Sequence, residues 1–294
     1  MKNENRGWAL ASHISFVFYT IIVCIPFVLL ISASLTDQKA IYANGFTFWP
    51  SEFSLDAYKY IFSADSGIMR AYGISAFVTV VGTIASVMIA ALLAYPLSRK
   101  EMPYRNLLMF LIVFTMLFGG GMVPSYMVWT QLFDVKNTIW AYILPGFLMN
   151  GFNVMLMRTF FANTIPKELI ESGEMDGAGE FRIFGSIILP LSMPILATIG
   201  LMQCIMYWND WQNGKMYITN PDLFSVQNLL NRIMEDIQFI KQNLPMNTGD
   251  ALAAMPSDSV RMAIAVIGIL PILLAYPFFQ KYFVKGIMIG AVKG

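Results

Sequence analysis

This sequence predicts an all-α, polytopic membrane fold with six transmembrane helices, and three observations predict it. Hydrophobic residues make up 57% of the 294 and charged residues only 13%, with a mean hydropathy of +0.60; a soluble domain carries about a quarter charged residues. The apolar residues gather in runs near the roughly 20 residues that cross a hydrocarbon core. Basic residues collect in short loops at one end of those runs. The net charge of +1 excludes a nucleic-acid role built on a basic surface. Cys24 and Cys204 lie in apolar runs and read as buried small hydrophobes, so neither a disulfide framework nor a metal site is expected.

The spans begin near Ser12, Tyr72, Asn106, Thr138, Leu191 and Ser259. Residues 1–11 form a short tail before residues 12–294, a single transmembrane domain. The first apolar run is followed by no small-residue cleavage site and stays as an anchor, with a kink at Pro26. Orientation comes from the loops. Arg99, Lys100 and Arg105 face one acid, Glu101, and the tail 281–294 holds Lys281, Lys285 and Lys293 without an acid. Residues 36–69 instead carry four acids against Lys39 and Lys59. Both termini are therefore expected in the cytoplasm. In the first outer segment Trp49, Tyr58 and Tyr60 suit the headgroup level, where a ring with one polar end is favoured.

The third span is interrupted by Gly119, Gly120, Gly121 and Pro124. Two readings stand: a gate or hinge lining a cavity, or a helix that ends near Phe118. The fourth carries Asn150 and Asn153 near its middle, where an amide needs a partner on another helix or in a pore. The fifth holds Gln203 and ends in Tyr207, Trp208, Asn209, Asp210 and Trp211, flat apolar faces beside hydrogen-bonding edges. That mixture suits sugars, and equally an interfacial aromatic belt. The long outer segment 213–258 places Val226, Leu229, Leu230, Ile233, Ile237 and Ile240 at helical spacing, a stripe that needs cover. In the last span Arg261 is expected to pair with Asp258. No phosphate-binding Gly-x-x-x-x-Gly-Lys-Ser/Thr loop occurs, and the single histidine, His13, stands at the start of the first span.

A charged island at 161–192 lies between the fourth and fifth spans. Pro166 suits a first helical turn, and Asp176-Gly177 marks a sharp turn after a short helix. A second helix from Glu180 places Phe181, Phe184, Ile187 and Ile188 on one side before Pro190 and Pro194 interrupt it. Ser172 and Gly173 are small enough to let another surface approach closely.

Glu171, Gly177 six positions on, then Ile187, Leu189 and Pro190 resemble the cytoplasmic signature of ABC-superfamily importer permeases: Glu-Ala-Ala, three residues, Gly, nine residues, Ile-x-Leu-Pro. The departure is Ser172-Gly173 for Ala-Ala, and Gly173 weakens the helix by about 1 kcal/mol relative to Ala. FGGGMVPSYMV, NTIWAYILPG, MRTFF, the YWNDW run and the C-terminal 36 residues resemble the carbohydrate subgroup, related to the second permease subunit of the maltose transporter.

The resemblance implies a type I ABC importer permease fold in the plasma membrane of a prokaryote. It makes the 161–192 loop the coupling helix, with Glu171, Ser172, Gly173, Asp176, Gly177, Ile187, Leu189 and Pro190 its residues. It implies partners: a homologous second permease, two ATPase subunits that hold the ATP and Mg, and a solute-binding protein delivering an oligosaccharide. Asn150, Asn153, Gln203 and residues 207–211 are then candidates for the substrate path, and this chain is no enzyme and carries no cofactor. The alternatives are a permease of the same fold for a peptide, amino acid or anion, an ATP-independent secondary transporter, and a membrane scaffold. A secondary transporter calls for mid-depth carboxylates that this sequence lacks.

Overall fold

A computed structural model of the chain describes residues 4–63, 67–243 and 257–291. Among them every extended element is a helix, and the one β contact is an isolated bridge between Thr36 and Phe53. In chain order the helices are α1 (Glu4–Ser34), α2 (Gln38–Asn44), α3 (Asp56–Ile61), α4 (Ile68–Ser98), α5 (Arg105–Leu117) and α6 (Met122–Met127), which a π turn continues over Val128–Leu132. Then come α7 (Trp140–Ile143), α8 (Gly151–Thr164), α9 (Lys167–Met175) and α10 (Glu180–Ile183), with a π turn at Phe184–Ile188 leading into α11 (Leu189–Leu191). The chain continues through α12 (Met193–Trp208), α13 (Gln212–Tyr217), α14 (Val226–Asn243) and α15 (Ser257–Ala291).

Among the described residues three helices are long and apolar enough to cross a membrane: Leu10–Ser34, Ile68–Ser98 and Asp258–Pro277. Two bent pairs raise the number to five, Arg105–Leu117 with Met122–Leu132 at 113° and Glu180–Leu191 with Met193–Trp208 at 80°. The expected fourth span is not one helix. Pro145 offers no N–H and Gly146 takes a φ of 78°, so the run breaks into a four-residue α7 and a 14-residue α8. Helix α1 begins at Glu4 and α15 runs to Ala291. Residues 1–3 and 292–294 lie outside the described residues, as do residues 244–256 of the outer segment.

By its contacts the chain forms two compact units, Met1–Ile68 with Leu230–Leu270, and Met69–Leu229 with Pro271–Gly294. In the first, buried Gln38 ties α2 to the start of α15. Its Oε1 accepts from the N–H of Asp258 at 3.1 Å and of Ser259 at 2.9 Å, two donors that the helix itself leaves open. Arg261 makes no ion pair with Asp258, whose Oδ2 accepts from Gln38 Nε2 instead. Trp49 and Tyr60 are exposed, whereas Tyr58 is half-buried with its hydroxyl 2.9 Å from that of Ser34. Cys24 is exposed rather than buried, because none of the described residues covers the apolar surface of α1 around it.

The second unit holds two cores, both touched by α4. One gathers Ala90, Ala91 and Ala94 of α4 with Val154, Met157, Ile183, Ile188 and Ile199. Small side chains there let helices approach closely, the main source of helix association where no hydrophobic drive acts. The other joins Val78 to Tyr142, Ile143, Tyr207, Tyr217 and Ile218. The Tyr142 hydroxyl donates to Leu223 O at 3.1 Å and accepts from Ser225 N at 3.0 Å, which fixes the approach to α14. Along α14 the expected stripe is covered at Val226 and Leu230, while Ile240 stays exposed. By contrast α5 buries no residue at all.

Candidate functional site

The 161–192 island folds as a helix, a turn and a helix, and its chemistry explains each part. Helix α9 ends in a Schellman motif: the Ala178 N–H donates to Gly173 O and the Gly177 N–H to Glu174 O, both at 3.0 Å. Gly177 takes the positive φ of 75° that this motif needs, and Asp176 stands as the cap before it. Gly179 then opens α10, its carbonyl accepting from Arg182 N at 2.9 Å and Ile183 N at 3.0 Å. Two polar contacts attach the loop to the end of α4. The Tyr95 hydroxyl donates to Glu180 Oε2 at 2.5 Å, and Arg99 pairs with Glu174. Burial of the Arg99 guanidinium works against its charge, and the hydrogen bond to Glu174 together with the nearby Tyr95 and Glu180 outweighs it, so its pKa is raised.

The expected residues divide by exposure. Glu171, Ser172, Asp176, Gly177 and Pro190 face outward, Ile187 and Leu189 are half-buried against the first core, and Gly173 is buried. The close approach that Gly173 permits is made by the loop's own second helix: a Cβ there would lie 3.1 Å from Ile187 Cδ1 and 3.4 Å from Ile183 Cγ1. Phe181 does not share the buried side with Phe184, Ile187 and Ile188. It is 86% exposed, and Ile183 takes the buried position. The π turn at Phe184–Ile188 adds a residue to the turn and so rotates α10 relative to α11. Met175, 84% exposed, ends α9 on the far side of the Gly177 turn from Phe181. The sequence pattern carried no signal for this apolar pair, since Met175 lies outside the motif.

The aromatic turn after α12 is mostly turned inward. The buried Tyr207 donates its hydroxyl to Ile143 O at 3.1 Å, and its ring faces Gly82 of α4, where a Cβ would lie 2.6 Å from the ring. Trp208 is buried beside Tyr72, with ring centroids 6.1 Å apart. Asp210 is buried with no cationic partner among the described residues. Its carboxylate accepts from Asn213 N at 3.0 Å and Asn213 Nδ2 at 2.9 Å, and Asn213 Nδ2 donates also to Pro145 O. Asn209 and Trp211 are exposed, Trp211 by 46%.

The two asparagines part company. Asn150 caps α8, its Oδ1 accepting from Phe152 N at 2.9 Å and Asn153 N at 3.4 Å. Asn153 is buried with its Nδ2 unpartnered, and Gln203, 0% exposed, has neither Nε2 nor Oε1 satisfied. The hydroxyls of Thr79, Thr83 and Ser192 are likewise buried and unpartnered, three positions that the residue pattern did not single out. Gly119, Gly120 and Gly121 form the exposed corner of the 113° bend, with Gly121 at φ 85°, and Pro124 comes next inside α6. The α5 helix does end at Leu117. Among the described residues no cluster of side chains is suited to a metal ion.

The family described as "Binding-protein-dependent transport system inner membrane component" matches residues 82–289. The polygalacturonan/rhamnogalacturonan transport system permease protein YtcP of Bacillus subtilis is 38% identical over 292 residues, 99% of this chain and 100% of its own length. Protein LplC of the same organism is 39% identical over 275 residues, 93% of this chain and 90% of that one. Among solved structures, a bacterial ABC transporter involved in the import of the acidic polysaccharide alginate matches with a TM-score of 0.78 and 26% identity, over 96% of this chain and 99% of that one.

Proposed function

Because the chain belongs to the family of binding-protein-dependent transport system inner membrane components, we propose that it is the permease subunit of an ATP-driven importer that takes up an oligosaccharide delivered by a solute-binding protein. The observation that carries this reading is the likeness over almost the whole chain to a permease named for polygalacturonan and rhamnogalacturonan transport. The alginate importer supports the same substrate class. Hydrolysis of ATP belongs to separate ATPase subunits. A second, homologous permease completes the passage, and the apolar faces of α1 and α5, which the described residues leave exposed, suit such a partner.

In this reading both termini and the 161–192 loop face the cytoplasm, and the broken α7–α8 stretch supplies the sixth crossing. Met175 and Phe181, exposed on either side of the Gly177 turn, enter a groove of the ATPase together with Glu171. Closure of the ATPase dimer moves the loop, and unequal contact energies in the two states shift the permease between inward-facing and outward-facing forms. The unpartnered amides of Asn153 and Gln203 fit a polar passage. A buried amide without partners costs roughly 1–3 kcal/mol, a cost removed when water or a hydroxylated solute supplies the bonds.

The test is uptake of labelled galacturonate oligosaccharides into vesicles holding the permease pair, its ATPase and binding protein. Uptake is expected to require ATP, and Phe181→Asp is expected to lower uptake and solute-stimulated ATP hydrolysis at least about tenfold, about 1.4 kcal/mol, while leaving insertion intact. Transport by the permeases with no ATPase present overturns the reading.

A further inference from the structure

A cavity of about 350 Å³ lies where α4, α5, α8 and α9 meet, and five cations line it: Arg99, Lys100, Arg105, Arg158 and Lys167. Two acids, Glu101 and Glu171, share the lining. Arg99 is taken up by Glu174 and Glu101. Among the described residues the other four cations have no carboxylate oxygen within ion-pair distance. Arg105 and Arg158 come from different helices, yet both donate their Nε–H to one acceptor, the Leu97 carbonyl, at 2.9 and 3.3 Å.

Capping explains only part of this arrangement. Leu97 O belongs to the last turn of α4, where carbonyls lack helical partners and a nearby cation is favourable. One arginine would serve. Two guanidiniums converging on a single oxygen bring like charges together, and the terminal nitrogens of both are left without a protein acceptor among the described residues. An anion with several acceptor oxygens relieves the repulsion and fills the forks.

What stands beside the cavity decides which anion. Helix α5 rises from Arg105 with Leu107, Leu108, Phe110 and Leu111 exposed and no residue buried. Tyr104, next to Arg105, is exposed too, in the amphipathic position typical of the headgroup level. A basic hollow at the foot of a helix with an exposed apolar face matches a molecule with a phosphate head and acyl tails. We propose that this cavity binds the headgroup of an anionic phospholipid, with Arg105 and Arg158 on the phosphate and Lys100 and Lys167 at its rim. The site rests on the importer reading, in which this end of α4 and α5 lies at the bilayer surface.

The test is native mass spectrometry of the full chain in its purified importer complex, given phosphatidylglycerol, phosphatidylcholine or glycerol 3-phosphate. Wild type is expected to retain phosphatidylglycerol over phosphatidylcholine. Retention should fall about tenfold in Arg105→Gln/Arg158→Gln, and by a smaller factor in Lys100→Gln/Lys167→Gln, whose side chains are exposed and in no ion pair among the described residues. Equal retention of the two lipids, or unchanged retention in the lysine pair and the arginine pair, overturns the proposal. So does displacement of the lipid by equimolar glycerol 3-phosphate, which assigns the cavity to a soluble phosphate. Retention is read without turnover, so a failure here is distinct from a failure of the importer reading.

Discussion

The helix-turn-helix at 167–191 and the aromatic turn at 207–213 are equally conspicuous as sequence, and they spend their side chains in opposite ways. In the first, the backbone and buried aliphatics make the shape, leaving Glu171, Met175 and Phe181 free at the surface. In the second, Tyr207, Trp208 and Asp210 turn inward, and Tyr207 and Asp210 use their polar atoms on this chain's own carbonyl and amide groups. A run of residues with the chemistry to hold a ligand is therefore no guide to a site until its hydrogen bonds are accounted for.

The largest test of that difference is at Gly82. A Cβ there would lie 2.6, 2.7 and 2.8 Å from three atoms of the Tyr207 ring, which is buried and bonded to Ile143 O. Gly82→Leu should cost more than the roughly 1–3 kcal/mol of ordinary overpacking and remove most monodisperse protein from a detergent extract. Gly82→Ala combined with Tyr207→Ala should recover more protein than Gly82→Ala alone, the signature of a direct clash. If the single and double variants behave alike, the inward packing of Tyr207 is not what holds this region.

A smaller effect separates the buried from the exposed members of the aromatic turn. Tyr207→Phe removes one hydrogen bond and should lower stability by about 1 kcal/mol, read as a fall in apparent Tm. Trp211→Ala alters a side chain that is 46% exposed and should stay within about 0.5 kcal/mol, yet reduce solute uptake. A Trp211→Ala variant with full uptake would take the last aromatic of this turn out of the substrate path.

Local signals were legible in the sequence and non-local ones were not. Asp176-Gly177 announced its turn because a positive φ selects glycine, and the α14 stripe announced its face by period. Phe181 was misplaced because a π turn shortly after it changes the period, and no residue type marks such a turn. The break at Pro145-Gly146 was visible as residues but hidden inside an apolar run of spanning length. The meeting of Arg105 and Arg158 on Leu97 O had no signature at all, since Arg158 lies 61 residues from Leu97 in the chain.

The smallest effect returns to the helix-turn-helix, at the one position where its sequence departs from the permease pattern by a glycine. Gly173→Ala restores helix propensity, worth about 1 kcal/mol, but its Cβ would stand 3.1 Å from Ile187 Cδ1. That atom is the end of a flexible side chain, so it yields at some cost, and the net change should be a gain of a few tenths of a kcal/mol. Ile187→Val removes Cδ1, and in that background Gly173→Ala should deliver nearly the full gain of about 1 kcal/mol, measured as a larger rise in apparent Tm. Equal rises in both backgrounds would show that α9 and the helix after it are less tightly packed than the aliphatic contact at Gly173 implies.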